Sequence, residues 1–217
     1  TPGLAPSDIF VSKLDASGNL YISDLTNCRI RRVDKATGVI TTVAGNGIND
    51  YSGDTGLATN ASITTPYGAV AFDSQGNMYI GEQSNFRVRK VNKTTGIITT
   101  VVGNGEFLDA FTPGVTALNY PLSYIYGITL DNLDNLYINL TERYNVILRV
   151  DAITQIVSVC AGIPENATYN GDGSPASDYS LSVIYYSITS GPDGNLYIND
   201  TGNYRISKIT LNNIRPV

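Results

Sequence analysis

The chain has 217 residues, 42% of them hydrophobic, with 14 basic against 19 acidic side chains, a net charge of −5 and no histidine. This balance excludes a grip on nucleic-acid phosphates driven by overall charge. The apolar content excludes a disordered chain, and no run of about 18 apolar residues marks a membrane-spanning helix. Charged residues make up only 15%, and Asn, Thr, Ser, Gly and fifteen tyrosines stand in their place, a composition that reads as extracellular.

The first predicted element is the extended run SDIFVSKLD (residues 7–15). It leads through the turn DASGN into NLYISD, from Asn19 to Asp24. Asp, Gly and Asn in such a joint supply positive φ and local hydrogen bonds, the requirements of a hairpin. CRIRRVD, the joint DKATG and GVITTVAG complete the first copy, and NGINDYSGDTGLATNASITTP links it to the next. The same order then returns as YGAVAFD, NMYIGE, FRVRKV and GIITTVVG, and twice more after that. The anchor Asn-(Leu or Met)-Tyr-Ile starts at Asn19, Asn77, Asn135 and Asn195, a period of about 58 residues.

Short joints enforce antiparallel neighbours, so each copy predicts a four-stranded meander. The repeats run over about 7–64, 65–123, 124–182 and 183–217. Leu20 and Ile22 point to one face of the second strand and Tyr21 to the other. Both faces are apolar and need cover, which neighbouring copies provide when stacked around an axis. The predicted fold is all-β: one β-propeller segment over residues 1–217, built of four-stranded antiparallel blades, four of them visible. The more charged third strands are expected nearer the outer rim, and the long links together at one end.

GNLYISDLTNCRIRRVD and GNLYINDTGNYRISKI, with TGVITTVAGNG and the link SGDTGLATNA, resemble the NHL repeat. The resemblance covers essentially the whole chain. It is worn in the third copy, where NLTERYNVILRVD lacks the Asp-x-x-Asn-x-Arg order of the others. The signature positions hold Asn27-Cys28, Asn85-Phe86 and Asn203-Tyr204, without the histidine of the family's name. The resemblance implies propellers of usually six blades, so further repeats of the same parent chain are expected, with a closed four-bladed ring as the alternative. Relatives include a zinc-dependent amidating lyase that relies on histidine ligands, and propellers that bind RNA through a basic face.

Candidate chemistry is sparse. Asp24, Glu82 and Asp200 end second strands, with Asn139 near the corresponding place. Converging on the axis they would make an oxygen-lined cation site. Kept apart, each accepts hydrogen bonds in its own turn, facing Arg29, Arg87 or Arg205 across the hairpin, and recurrence in several blades favours this second reading. Without histidine and with two separated cysteines, neither a zinc site of the usual kind nor a histidine-activated nucleophile can be assembled. No catalytic residue and no cofactor are expected. The link carboxylates Asp54, Asp109, Glu165 and Asp172 read as turn-forming or solvating. NGDGSPAS lacks the closing Glu of an EF-hand. Arg29, Arg31, Arg32, Arg87, Arg89 and Lys90 alternate with packing positions such as Ile30 and Val88, and no nucleic-acid partner is expected. Cys28 and Cys160 read as two buried thiols, with a disulfide as the alternative.

Five Asn-X-Ser/Thr sequons occur, of which Asn60 and Asn166 in links and Asn92 at a hairpin are the preferred glycan acceptors over Asn139 and Asn199. The resulting expectation is a non-catalytic extracellular or cell-surface scaffold that binds a protein, another or a copy of itself, or a glycan, without direct membrane insertion. The alternative is a small-molecule sensor, or a carboxylate- or metal-dependent hydrolase with an axial site.

Overall fold

The computed structural model describes residues 9–211 apart from 65, 68, 142, 167, 183 and 185–187, with the backbone alone for 9–12. Blade 1 comprises β1 (Ile9–Leu14), β2 (Leu20–Asp24), β3 (Arg29–Val33) and β4 (Ile40–Ala44). Blade 2 comprises β5 (Val70–Phe72), β6 (Met78–Glu82), β7 (Arg87–Val91) and β8 (Ile98–Val102). Blade 3 holds β9 (Ile125–Leu130), β10 (Leu136–Leu140), β11 (Val146–Val150) and β12 (Val157–Ala161), and blade 4 holds β13 (Ile188–Ser190), β14 (Leu196–Asp200) and β15 (Arg205–Ile209). The fourth strand expected of blade 4 falls on residues 212–217, outside those described. Each sheet is an antiparallel meander in chain order.

First strands pack in succession, β1 on β5, β5 on β9 and β9 on β13, so they form the hub, and the fourth strands lie at the rim. The described residues thus form four consecutive blades of a propeller. Its cores are the blade junctions. Ile30 and Ala44 meet Ile80 and Ile98 between blades 1 and 2; Val88 and Val102 meet Ile125 and Ile138 between blades 2 and 3; Ile147 and Ala161 meet Ile198 and Ile209 between blades 3 and 4. Each buried aliphatic side chain of this size contributes about 1.5–3 kcal/mol.

The anchor asparagine is explained by two hairpins at once. Asn77 donates from Nδ2 to Asp73 Oδ2 at 2.8 Å in the first turn, and its Oδ1 accepts from the Lys93 N–H at 2.9 Å in the turn between third and fourth strands. Asn19 and Asn135 repeat both bonds, to Asp15 and Lys35 and to Asp131 and Ala152. Neither an aliphatic residue nor a carboxylate offers a donor and an acceptor together, which fixes the residue type.

The links are more ordered than their composition predicts. Each carries one 3₁₀ turn, at Ala58–Asn60, Ala117–Asn119 and Ala176–Asp178. The turn accepts a bond from the residue after the preceding blade's fourth strand, as in Gly45 N–H to Ala58 O at 2.9 Å. It also donates to the next blade, Ala58 N–H to Gly96 O at 2.9 Å and Ala117 N–H to Gln155 O at 2.8 Å. A minimal crossover could not do this. The extra length staples consecutive rims together.

Candidate functional site

At one end of the propeller each second strand closes in a tight turn. The residue after the signature Asn adopts a left-handed conformation in blades 1, 2 and 4, at Cys28 (φ 48°), Phe86 (53°) and Tyr204 (56°), and in blade 3 Asn145 (48°) does the same after Tyr144. That turn folds the Asn back on the strand's last carboxylate. Asn27 Nδ2 donates to Asp24 Oδ1 at 2.7 Å, Asn85 to Glu82 Oε2 at 2.5 Å, and Asn203 to Asp200 Oδ2 at 2.9 Å. The preceding link joins in, with the Ser182 N–H on Asp200 Oδ1 at 2.8 Å and the Thr64 N–H on Glu82 Oε2 at 3.4 Å. Asp24, Glu82 and Asp200 are buried, each in its own clasp. Among the described residues no three His, Cys, Asp or Glu side chains lie together as a metal site.

Asn139 does not stand at the carboxylate position. It pairs in register with Ile147, as Gly81 pairs with Val88, and Leu140 opposite Val146 takes the place that Glu82 holds opposite Arg87. Asn139 is buried and donates to Ile184 O at 2.7 Å. Blade 3 thus replaces the polar clasp by Leu140 and by Tyr144, whose hydroxyl donates to Leu108 O at 2.5 Å.

The arginines opposite the carboxylates do not pair with them as the cross-hairpin reading expects. Arg29 donates to the carbonyls of Asn27 (2.8 Å) and Asn46 (2.9 Å), and Arg87 to those of Asn85 (3.0 Å) and Asn104 (2.9 Å). The carboxylates already hold the Asn amides, and the guanidinium fork satisfies carbonyls of two loops instead. Arg87 also lies over the Tyr51 ring at 4.1 Å, and Arg205 over Tyr169 at 3.9 Å. Such stacks are worth about 0.5–2 kcal/mol. Both tyrosines come from a repeated link motif, YSGD at Tyr51 and YNGD at Tyr169. That recurrence was the available signal for this contact, which reading blade by blade misses.

Arg89 has no solvent exposure. It contacts Glu82 Oε1 at 3.2 Å and Asp54 Oδ1 at 2.6 Å, and donates to the carbonyls of Ser62 (3.0 Å) and Ser52 (2.9 Å). Burial pushes the Glu82 carboxyl up, opposed by Asn85, Arg89 and the Thr64 N–H. Partial burial also pushes Asp54 upward, but the Thr100 hydroxyl and N–H, with Arg89, hold it below the ordinary value. The remaining basic residues of β3 and β7 have partners too: Lys90 with Asp73 (2.9 Å), Arg32 with Asp34 (2.9 Å), and Arg31 with the Thr42 hydroxyl.

The links converge. Arg143, in the turn between β10 and β11, reaches Glu165 of the third link at 2.9 Å and Asp109 of the second at 3.5 Å. Phe86, Phe107 and Tyr124 form an edge-to-face triad with centroids 5.3–5.8 Å apart. Phe107, Asp109, Glu165 and Asp172 are exposed. Two clefts lie beside the links: one of about 610 Å³ between the third link and β15, bordered by Asp172, Tyr179 and Arg205, and an apolar one of about 520 Å³ between the second link and the start of β12, bordered by Phe111, Pro113, Tyr120 and Val157. The sequons divide. Asn60, Asn92 and Asn166 are exposed, Asn199 is half-buried and Asn139 is buried. The Oδ1 atoms of Asn92 and Asn166 accept from the Thr94 and Thr168 N–H groups at 3.0 Å each. Ser62 of the Asn60 sequon is instead buried against Ser52 and Asn46. Cys28 and Cys160 belong to different blade junctions and no disulfide joins them; burial raises the Cys160 thiol to about 12, so it is no nucleophile at neutral pH.

Acid sensitivity follows from the turn carboxylates. Backbone N–H bonds from Thr37 and Thr154 lead in holding Asp34 and Asp151 low, Asp151 to about 2. A depressed acid contributes stability above its unfolded value, near 3.9, and loses it as pH falls through the folded one. Glu82, raised, acts oppositely, but it is outnumbered. Melting temperatures should stay level between about pH 6 and 8, where no histidine titrates, and drop below about pH 4. A transition centred near pH 6 would contradict this.

Blades with an anchor asparagine spanning two hairpins and a carboxylate–asparagine clasp at the link end define a propeller of the NHL type. Residues 8–168 match the teneurin NHL domain, and the chain belongs to that family. It is 27% identical to mouse Teneurin-3 over 212 residues, covering 89% of this chain and 8% of that protein. Among solved structures, a protein of unknown function from Bacteroides thetaiotaomicron superposes with a TM-score of 0.70 at 19% identity, over 92% of this chain and 46% of its own. The virginiamycin B lyase of Staphylococcus aureus does so with 0.52 at 18%, over 98% and 60%. The chain therefore spans less than a tenth of that teneurin and about half of these solved structures.

Proposed function

We propose that this chain is a non-catalytic recognition module that works outside the cell and binds a protein partner through its link end. One observation carries the reading. Arg143 joins Asp109 to Glu165, and the Phe86–Phe107–Tyr124 triad joins a blade turn to a link, so segments distant in sequence form one exposed aromatic and charged surface on a rigid stack. Exposed aromatic and arginine side chains held in place cost little entropy to bind. The low charge content and the exposed sequon residues Asn92 and Asn166 support an extracellular setting. Among the described residues no helix is long and apolar enough to cross a membrane.

The test is direct. The chain, exported from a eukaryotic cell line and fluorescently labelled, should bind cells of its source organism saturably. Phe107→Asp combined with Arg143→Glu should weaken binding roughly tenfold or more, while Ala36→Asp, in a turn at the opposite end of the strands, should not. Peptide mapping of the exported protein should show glycans at Asn92 and Asn166 and none at Asn139. Non-saturable binding, or equal loss from the Ala36 variant, would remove the link end from the account.

A further inference from the structure

The rims of blades 2 and 3 share a strand pattern and are finished differently. In blade 2 the first link lies along the outer edge of β8. Ala58 N–H donates to Gly96 O at 2.9 Å, Ile98 N–H to Gly56 O at 3.0 Å and Thr55 N–H to Ile98 O at 2.8 Å. Asp54 then closes the edge, its Oδ2 accepting from the Thr100 N–H at 3.0 Å and the Thr100 hydroxyl at 2.7 Å. The Tyr51 hydroxyl reaches both Asp54 and Thr100 at 3.0 Å, and Arg89 holds the other oxygen of Asp54.

Blade 3 begins in the same way and stops. Counting back from Ala58 and Ala117, which start equivalent 3₁₀ turns, Asp54 corresponds to Pro113 and Tyr51 to Ala110. Leu148 stands opposite Val159 as Arg89 stands opposite Thr100. Each polar member of the closure thus has an apolar counterpart. The second link still donates from Ala117 N–H to Gln155 O at 2.8 Å and accepts from Val157 N–H at Val115 O at 3.0 Å. Among the described residues no link group then bonds Val157 O as Thr55 bonds Ile98 O, and none replaces Asp54 at the Val159 N–H. The link diverges from the strand there, and the apolar cleft of about 520 Å³ lies between them, bordered by Phe111, Pro113, Tyr120, Val157 and Val159.

We propose that an extended segment of a partner protein docks here as an added strand, continuing the link–rim interface and seating a large apolar side chain in the cleft. An unpaired strand edge is a template for pairing. Strand addition takes its affinity from main-chain bonds and its specificity from a pocket for an alternate side chain. The chemistry of the occupant follows from the two halves of the site. Val157 O and Val159 N–H need a donor and an acceptor side by side, which a peptide backbone carries, and in blade 2 the matching Ile98 O is bonded by just such an extended stretch of chain. No charged residue lines the cleft, and its walls are aromatic and aliphatic, so the inserted side chain is apolar. The site uses neither Phe107 nor Arg143, so its test and that of the link-end surface fail separately.

Hydrogen exchange on the isotope-labelled chain should find protection at the Val159 amide at least roughly tenfold below that at Thr100. The probe is a soluble synthetic peptide that alternates Thr with Val and a central Phe between terminal lysines. It should shift the Val157 and Val159 amide resonances saturably and raise protection at Val159. The same peptide with Ser for its Phe, or with alternate amides N-methylated, should bind at least roughly tenfold more weakly. The double variant Pro113→Asp with Val159→Thr installs the closure of blade 2. It should weaken peptide binding at least roughly tenfold with a melting temperature equal to or above that of the wild type, which separates a closed edge from a lost fold. Equal protection at Val159 and Thr100, no saturable shift at the two amides, or peptide affinity untouched by the double variant would each overturn the proposal.

Discussion

Replacing Arg89 by Leu is expected to lower the unfolding free energy by about 3–5 kcal/mol, the usual cost of leaving a buried charge without its partner. Glu82 is fully buried, and with Arg89 gone its ionised form keeps only Asn85 and the Thr64 N–H. The Ser52 and Ser62 carbonyls lose their donor and Asp54 loses its cation, keeping Thr100 and Tyr51, so the first link loosens from blade 2. The compensating change is written into the chain. Blade 3 has Leu140 where blade 2 has Glu82, and Leu148 where blade 2 has Arg89, both fully buried. The double variant Glu82→Leu with Arg89→Leu should therefore recover a large part of the loss, because a buried pair exchanged for apolar side chains is often neutral. Urea titrations of the wild type, both single variants and the double variant give the cycle. A cost below about 1 kcal/mol for Arg89→Leu, the level of a surface ion pair, would show that the buried network does not hold the link.

The blades were legible because their signals are local and repeated. The period-two alternation around Tyr21, Tyr79, Tyr137 and Tyr197 and the Asp-to-Asn turns before them force a hairpin whatever surrounds it. The clasp was half legible. Its carboxylates stood out, but not their choice of the Asn amide over the arginine across the strand, which depends on the left-handed residue between them. Asn139 was misplaced for a plain reason: it was matched to Asp24, Glu82 and Asp200 by polarity, whereas counting three residues on from each tyrosine gives Leu140. In a strand one step changes the face. The links were least legible, since Ala58, Ala117 and Ala176 pair with rims through backbone groups that any residue carries. Only shared small size at those positions hints at it.

Gly103→Ala should be the more damaging of two glycine replacements that both place an L side chain at positive φ. Gly38, in the turn after β3, has φ 69° and open space within 4 Å of an added Cβ, so Gly38→Ala pays only the left-handed penalty, about 1–2 kcal/mol. Gly103 has φ 96°, beyond the left-handed helical region, and an added Cβ would lie 2.2 Å from the Phe86 carbonyl oxygen. Gly45 and Gly162 repeat this against Cys28 and Asn145, at 2.2 and 2.5 Å. The obstacle is backbone, so relief requires the third strand or the rim to move, an overpacking cost of about 1–3 kcal/mol on top of the φ penalty. Moving the rim strains the Gly103 N–H bond to Ala117 O, and moving the strand displaces Phe86 from Phe107 and Tyr124. Gly103→Ala should thus lose stability and blunt binding at the link end together, whereas Gly38→Ala loses only the smaller amount of stability. Equal losses in urea titrations would mean that the glycine after each fourth strand serves its backbone angle alone and that the close approach to the third strand is not what selects it.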